Sequence, residues 1–129
     1  MSADESTTIA ELKTSVQDFV HERDWGKYHN PKDVALSIVI EAAELLEHFQ
    51  WADGAELQRT MQDPEKMDRI GEELADVLIY CLSFANATGI DVAGAVREKI
   101  EKNKVKYPAD QVRGNYRKYL ELKGNERHR

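Results

Sequence analysis

Apolar residues recur along this chain at intervals of three and four, the spacing of one helix face, and almost nowhere in the alternation of a strand. Ile9, Leu12, Val16, Phe19 and Val20 make the first such face, opened by Thr8 and Glu11 as a capping box and running to about Glu22. Asn30 as cap, Pro31 at the first helical position and Asp33 in the first turn open a second helix, predicted to reach about Phe49. Ala52-Asp53-Gly54 reads as a turn, and residues 55–63 as a short helical or irregular connector. Asp63 and Pro64 repeat the opening signal for a long third helix that stops at Gly89, and Asp91 caps a fourth that Pro108 bounds. The expected class is all-α, an antiparallel four-helix bundle over residues 1–108 followed by a tail, 109–129.

The third helix is apolar around most of its circumference. Ile70, Leu74, Val77, Leu78, Cys81, Leu82 and Ala85 take one side and Ile79 the other. In so small a protein, a helix apolar on two sides implies a second buried surface, most simply one between subunits, so a homo-oligomer (dimer or tetramer) is expected.

Composition narrows the class. A chain of 129 residues is long enough for one domain with a modest core, and 41 % hydrophobic and 33 % charged residues fit a soluble globular protein. No run approaches the roughly 18 apolar residues of a membrane span, and the opening MSADESTTIAELK lacks the regions of a secretory signal, so a cytoplasmic location is expected. The single Cys81 excludes an internal disulfide and a Cys-rich zinc site, and its apolar surroundings read as a packed thiol. A net charge of −6 argues against a binder of nucleic-acid polymers. The charge is uneven: the tail carries six Lys/Arg against three Asp/Glu, which leaves −9 on residues 1–108.

Carboxylates interrupt the apolar pattern in two places. On the second helix, Val34, Ile38, Leu45 and Phe49 cluster, and Glu41 falls about 20° from Val34 at the edge of that cluster, with Glu44 one step further round. On the third helix, Glu73, Tyr80 and Asp76 fall at about 300°, 280° and 240° from Ile70, a strip beside the main apolar arc. An ionised carboxylate against a core is costly unless it is paired or bound to a cation. Each helix therefore carries two carboxylates three residues apart, positioned to converge on one ion. If the two helices pack side by side, Glu41, Glu44, Glu73 and Asp76 form an all-oxygen site of the kind that favours Mg²⁺, with Mn²⁺ also suited. Glu47 points away from Glu41 and can flank the site beside Glu44. The Glu-x-x-His pairs of di-iron bundles are absent: His48 follows Glu44 by four residues, and the third helix has no histidine.

These residues resemble the MazG-like, all-α nucleotide pyrophosphohydrolases, whose signature joins EExxE to ExxD. Glu41-Ala42-Ala43-Glu44 is similar to the later part of the first element and Glu73-Leu74-Ala75-Asp76 to the second, with residues 45–72 as a long spacer. Ile40 stands where the family proper has a glutamate, a departure shared with the dCTP pyrophosphatase branch. The blocks ERDWGKYHNPKD, EAAELLEHFQW, EELADVLIY, KIEKNKVKYP and RKYLEL resemble that branch in order, over roughly residues 9–122. The resemblance implies an oligomeric all-α bundle that cleaves a nucleoside triphosphate to the monophosphate and pyrophosphate with Mg²⁺ held by Glu41, Glu44, Glu73 and Asp76. A carboxylate not fully engaged with metal could accept the attacking water's proton; which one is open, with Glu44 or Glu47 the first expected. The resemblance also implies Trp25 and Trp51 around the nucleobase, Tyr80 near sugar and base, and His29, Lys99 and Asn103 as further substrate contacts.

The first substrate expected is dCTP or a modified deoxycytidine triphosphate, in a role that cleans the nucleotide pool. The same fold acting on dUTP or on a broad set of triphosphates is an alternative. A non-catalytic oligomerisation or nucleotide-binding module is another.

Overall fold

The helix starts expected from the sequence are closed by the side chains named for them. In the computed structural model, which describes residues 1–127, Thr8 Oγ1 accepts from Glu11 N at 3.1 Å while Glu11 Oε2 accepts from Thr8 N at 3.4 Å. Asn30 Oδ1 accepts from Asp33 N at 2.9 Å, Asp63 Oδ1 from Glu65 N and Lys66 N at 3.1 and 3.3 Å, and Asp91 Oδ1 from Gly94 N at 3.3 Å. The elements are α1 (Ala3–Ser6), α2 (Ile9–Glu22), a 3₁₀ turn (Gly26–Tyr28), α3 (Pro31–Glu47), α4 (Gly54–Met61), α5 (Pro64–Thr88), α6 (Val92–Lys106), α7 (Ala109–Val112) and α8 (Tyr116–Arg127). Among the described residues there is no strand, and the all-α class holds. No single helix among them is long and apolar enough to cross a membrane.

The chain divides into two compact units, Met1–Ile90 and Asp91–Arg129. In the first, α5 is the spine, and α3, α2 and α4 pack against it. Val16 from α2, Val34 from α3, and Ile70, Leu82 and Ala85 from α5 are buried, Val34 most completely at 2 % exposure. Two hydrogen bonds tie the start of α2 to the end of α5: Asn86 Nδ2 donates to Lys13 O at 2.9 Å, and Lys13 Nζ to Ile90 O at 2.7 Å. The connector expected at residues 55–63 is the short helix α4, opened by Asp53 Oδ1 accepting from Glu56 N at 2.9 Å.

In the second unit, α6 fills the span expected of the fourth helix. The tail contains the helices α7 and α8. Gly114 (φ 68°) turns the chain, Asn115 Oδ1 accepts from Arg117 N at 3.0 Å to open α8, and Tyr119 returns to Tyr107 with ring centroids 4.8 Å apart. Residues 128 and 129, the last of the expected tail, lie outside the described residues.

The first unit leaves much of its apolar surface uncovered. Leu12 and Phe19 of α2 with Ala75, Leu78, Ile79 and Leu82 of α5 line an apolar cavity of about 490 Å³. On α3, Leu36, Val39, Ile40 and Leu46 are exposed at helical spacing, Val39 by 66 %. The sequence pattern pointed to the α5 face; the α3 stripe escaped it, because its apolar residues are interleaved with those of the buried face.

Gly89 closes α5 in the left-handed region (φ 76°, ψ 15°), its N–H donating to Ala85 O at 2.8 Å. A side chain there meets no neighbour but must adopt a strained backbone. Gly89→Ala is expected to lower stability by about 1 kcal/mol, read as an earlier midpoint in urea at unchanged slope. An unmoved midpoint would mean that the helix end relaxes around the methyl group.

Candidate active site

Packing of α3 on α5 brings the two acidic pairs together. One carboxylate oxygen each from Glu41, Glu73 and Asp76 can be chosen so that all three lie within 4.8 Å of one another. Glu44, one turn along α3 from Glu41, stands outside that trio, but its carboxyl adjoins both Glu41 and Glu73. Glu41 Oε2 and Glu73 Oε2 are buried and have no hydrogen-bond partner. Buried carboxylate oxygens are ordinarily satisfied by donors, and here the surrounding groups are other carboxylates.

The electrostatics record that crowding. Glu41 is raised from its ordinary 4.5 to about 6, first by burial, then by the adjoining Glu44 carboxyl and the charges of Asp76 and Glu73. Glu73 is raised by burial and by Glu44 and Asp76, with His48 pulling the other way from Nε2 at 4.0 Å from Glu73 Oε1. Unpartnered buried oxygens in an all-carboxylate set fit a hard divalent cation, whose charge offsets both the repulsion and the desolvation.

The other expected site residues fall in distinct places. Tyr80, one turn beyond Asp76 on α5, faces His29 with ring centroids 6.5 Å apart at 35°. Trp25 follows α2 and packs edge-on against Phe19 at 5.8 Å. Trp51 follows α3, is 86 % exposed, and lines a cavity of about 320 Å³ with Glu47, His48, Arg59 and Lys66. On α6, Lys99 is exposed and Asn103 half-buried, while their neighbour Lys102 pairs with Glu98 at 3.3 Å. The sequence reading gave His48 and Lys66 no place beside the site, where His48 approaches Glu73 and Lys66 shares the Trp51 cavity. The signal for Lys66 was its register on α5, where it stands seven residues, two turns, before Glu73; His48 becomes visible only once α3 lies on α5.

Such a donor set on packed helices could hold a divalent cation of the kind that handles phosphates. Residues 36–122 match the MazG-like family. The chain is 36 % identical to dCTP pyrophosphatase 1 of Homo sapiens over 115 residues, 89 % of this chain and 68 % of that protein, and equally so to the Rattus norvegicus protein of that name. It is also similar to the crystal structure of a pyrophosphatase from Archaeoglobus fulgidus DSM 4304, at 43 % identity and a TM-score of 0.66, covering 77 % of this chain and 91 % of that one. The chain belongs to the MazG-like family, and with it to the nucleotide pyrophosphohydrolases that its two acidic pairs announced.

Because the folded protein holds a proton on Glu41 up to about pH 6 and the unfolded chain only to about 4.5, the folded state binds more protons between those values. The thermal midpoint of the metal-free protein should therefore fall as pH rises through that window. Glu41→Gln should flatten the fall and raise the midpoint at neutral pH in chelator, while Mg²⁺ should stabilise the wild type more than the variant. Scanning calorimetry with EDTA or Mg²⁺ reads all three. A variant no more stable than wild type in EDTA would show that carboxylate repulsion carries no cost here.

Proposed function

We propose that the protein hydrolyses dCTP, or a modified deoxycytidine triphosphate, to the monophosphate and pyrophosphate, using Mg²⁺ held by Glu41, Glu44, Glu73 and Asp76. The observation that carries this is the pair of buried, unpartnered oxygens on Glu41 and Glu73, one from each acidic pair, with Asp76 within the same few ångströms. Choice of dCTP is supported by the name of the curated relatives and by the length of chain they share with it. The place we infer is the cytoplasm, with the pool of free nucleotides.

When bound, the ion supplies positive charge for the phosphate oxygens and acidifies the attacking water. Glu44, next to the trio, accepts that water's proton on its carboxylate as the oxygen attacks the α-phosphorus. The α–β bridging P–O bond breaks, and the electron pair leaves with pyrophosphate. Glu47 is the less favoured base, since it lines the neighbouring cavity with Trp51. Tyr80 and His29 flank the sugar side of the site, and Trp25 and Trp51 offer flat surfaces to the base. Lys99 and Asn103 are proposed as further substrate contacts on the family resemblance alone.

The exposed apolar cavity on α2 and α5 and the separate stripe on α3 support a homo-oligomer, with two faces each able to bury against a copy. Leu78→Arg, on the first face, should shift the protein to a smaller species in light-scattering chromatography, whereas Gln58→Arg, away from both, should not. Equal masses for wild type and Leu78→Arg would remove that face from the assembly.

Pyrophosphate release from a panel of dNTPs and NTPs, with and without Mg²⁺, tests the activity. Metal-dependent release concentrated on dCTP, and lowered about a hundredfold or more by Glu41→Gln, is the expected result. Release spread evenly over the bases would keep the chemistry and refute the dCTP assignment. Full turnover in Glu41→Gln would refute the metal site.

A further inference from the structure

The polar strip of α5 continues past the acidic pair toward the start of the helix. Lys66, Arg69, Glu73, Asp76 and Tyr80 follow one another at three, four, three and four residues, the repeat of a single helix face. Cations therefore stand at one end of the strip, carboxylates in its middle and an aromatic ring at the other. Lys66 and Arg69 line a cavity of about 280 Å³ with His48, Thr60 and Ile70, and no carboxylate is among those residues. A neighbouring cavity of about 320 Å³ shares His48, Thr60 and Lys66 and adds Arg59, and there Glu47 and Glu56 are present. Trp51 borders that second cavity and not the first.

No described residue neutralises the cations of the smaller cavity. Arg23, Lys27, Lys102 and Lys104 each pair with a nearby carboxylate, whereas Lys66 and Arg69 form no ion pair with any described residue. Arg69 has Glu65 four residues before it and Glu73 four after, spacings at which helix pairs form, and it joins neither. The hydroxyl of Thr60, a residue only 8 % exposed, makes no hydrogen bond with any described residue, although buried polar groups are ordinarily satisfied. In a chain of net charge −6, unpaired cations and an unpaired hydroxyl around one recess are the complement of an anion rich in oxygens. The recess adjoins the acidic seam. His48 lines it and holds Nε2 4.0 Å from Glu73 Oε1, and Arg69 stands one turn, about 6 Å along the axis, before Glu73.

We propose that His48, Thr60, Lys66 and Arg69 receive the diphosphate end of the substrate, the part that leaves as pyrophosphate. This deepens the pyrophosphohydrolase reading and rests on it for the identity of the anion. The nucleotide then lies along α5 with its outer phosphates toward Lys66 and its sugar toward Tyr80. As the α–β bridging P–O bond breaks, the electron pair and its charge pass to the leaving diphosphate, and Lys66 and Arg69 stand where that charge collects.

The test uses the full chain and the variants Lys66→Gln and Arg69→Gln. Lys66→Arg keeps the charge, and Lys32→Gln removes one at the opposite end of α3 from His48. Lys66 and Arg69 are exposed, so their loss leaves the core alone, and the thermal midpoint should equal or exceed that of wild type as like charges are removed. Calorimetric titration with pyrophosphate is run in EDTA and in Mg²⁺. Lys66→Gln and Arg69→Gln should each weaken pyrophosphate about tenfold in both conditions, lower kcat/KM for dCTP by a similar factor and leave dCMP binding unchanged. Lys66→Arg and Lys32→Gln should bind pyrophosphate as wild type does. No binding of pyrophosphate by wild type in either condition, or wild-type affinity in both glutamine variants, overturns the proposal. So does a loss of pyrophosphate affinity with kcat/KM for dCTP unmoved, since the recess would then take free anions only. If wild type releases no pyrophosphate from any nucleotide while pyrophosphate binding still responds to both glutamine variants, the hydrolytic reading fails and the anion site stands.

Discussion

Like-charged carboxylates crowd the seam between α3 and α5, and the character of the site follows from that repulsion. Glu41, Glu44, Glu73 and Asp76 come from two helices whose packing is itself the largest association in the first unit. The fold therefore drives together groups that electrostatics would keep apart. Glu41 answers by holding its proton to about pH 6, and two oxygens sit buried with no donor. A divalent cation would resolve both problems, and the apolar packing that stabilises the helices would then favour its binding. The same repulsion explains why the site lies at the edge of the apolar arc: deeper burial would neutralise the carboxyls, and full exposure would let water screen them.

Packing of the first unit is correspondingly thin. Five apolar side chains are buried, while apolar faces on α2, α3 and α5 stay open. A small chain whose longest helix, α5, carries an acidic strip and borders a polar cavity has little circumference left for a core of its own. Association between copies is the natural remedy. The surface that opens toward solvent on α5 around Leu78 lies on the opposite side of the helix from Glu73, Asp76 and Tyr80.

Much of this was legible in the residues. Thr8, Asn30, Asp63 and Asp91 cap the helices they were expected to cap, and Gly89 ends the longest, since capping is a contact between residues two or three apart. The helix within the tail was not read: α8 has no apolar periodicity strong enough to announce it, and the contact of Tyr119 with Tyr107 crosses the turn before it. In the site, the two pairs were visible from spacing alone. That Glu44 would stand beside the trio instead of within it, and that His48 would approach Glu73, depended on the axial offset of α3 against α5, which no local pattern encodes.

What the sequence by itself determined was therefore the inventory: where each helix begins and stops, which face is apolar, and which carboxylates share a turn. All of these are set by interactions within one helical turn, where 3.6 residues per turn leaves a single answer. Only the tertiary structure decided which carboxylates meet across the seam, that two of their oxygens are left without donors, and that His48, Thr60, Lys66 and Arg69 line one cavity. Those facts depend on how one helix slides and rotates against another, a choice made by the sum of many weak side-chain contacts between residues distant in the chain.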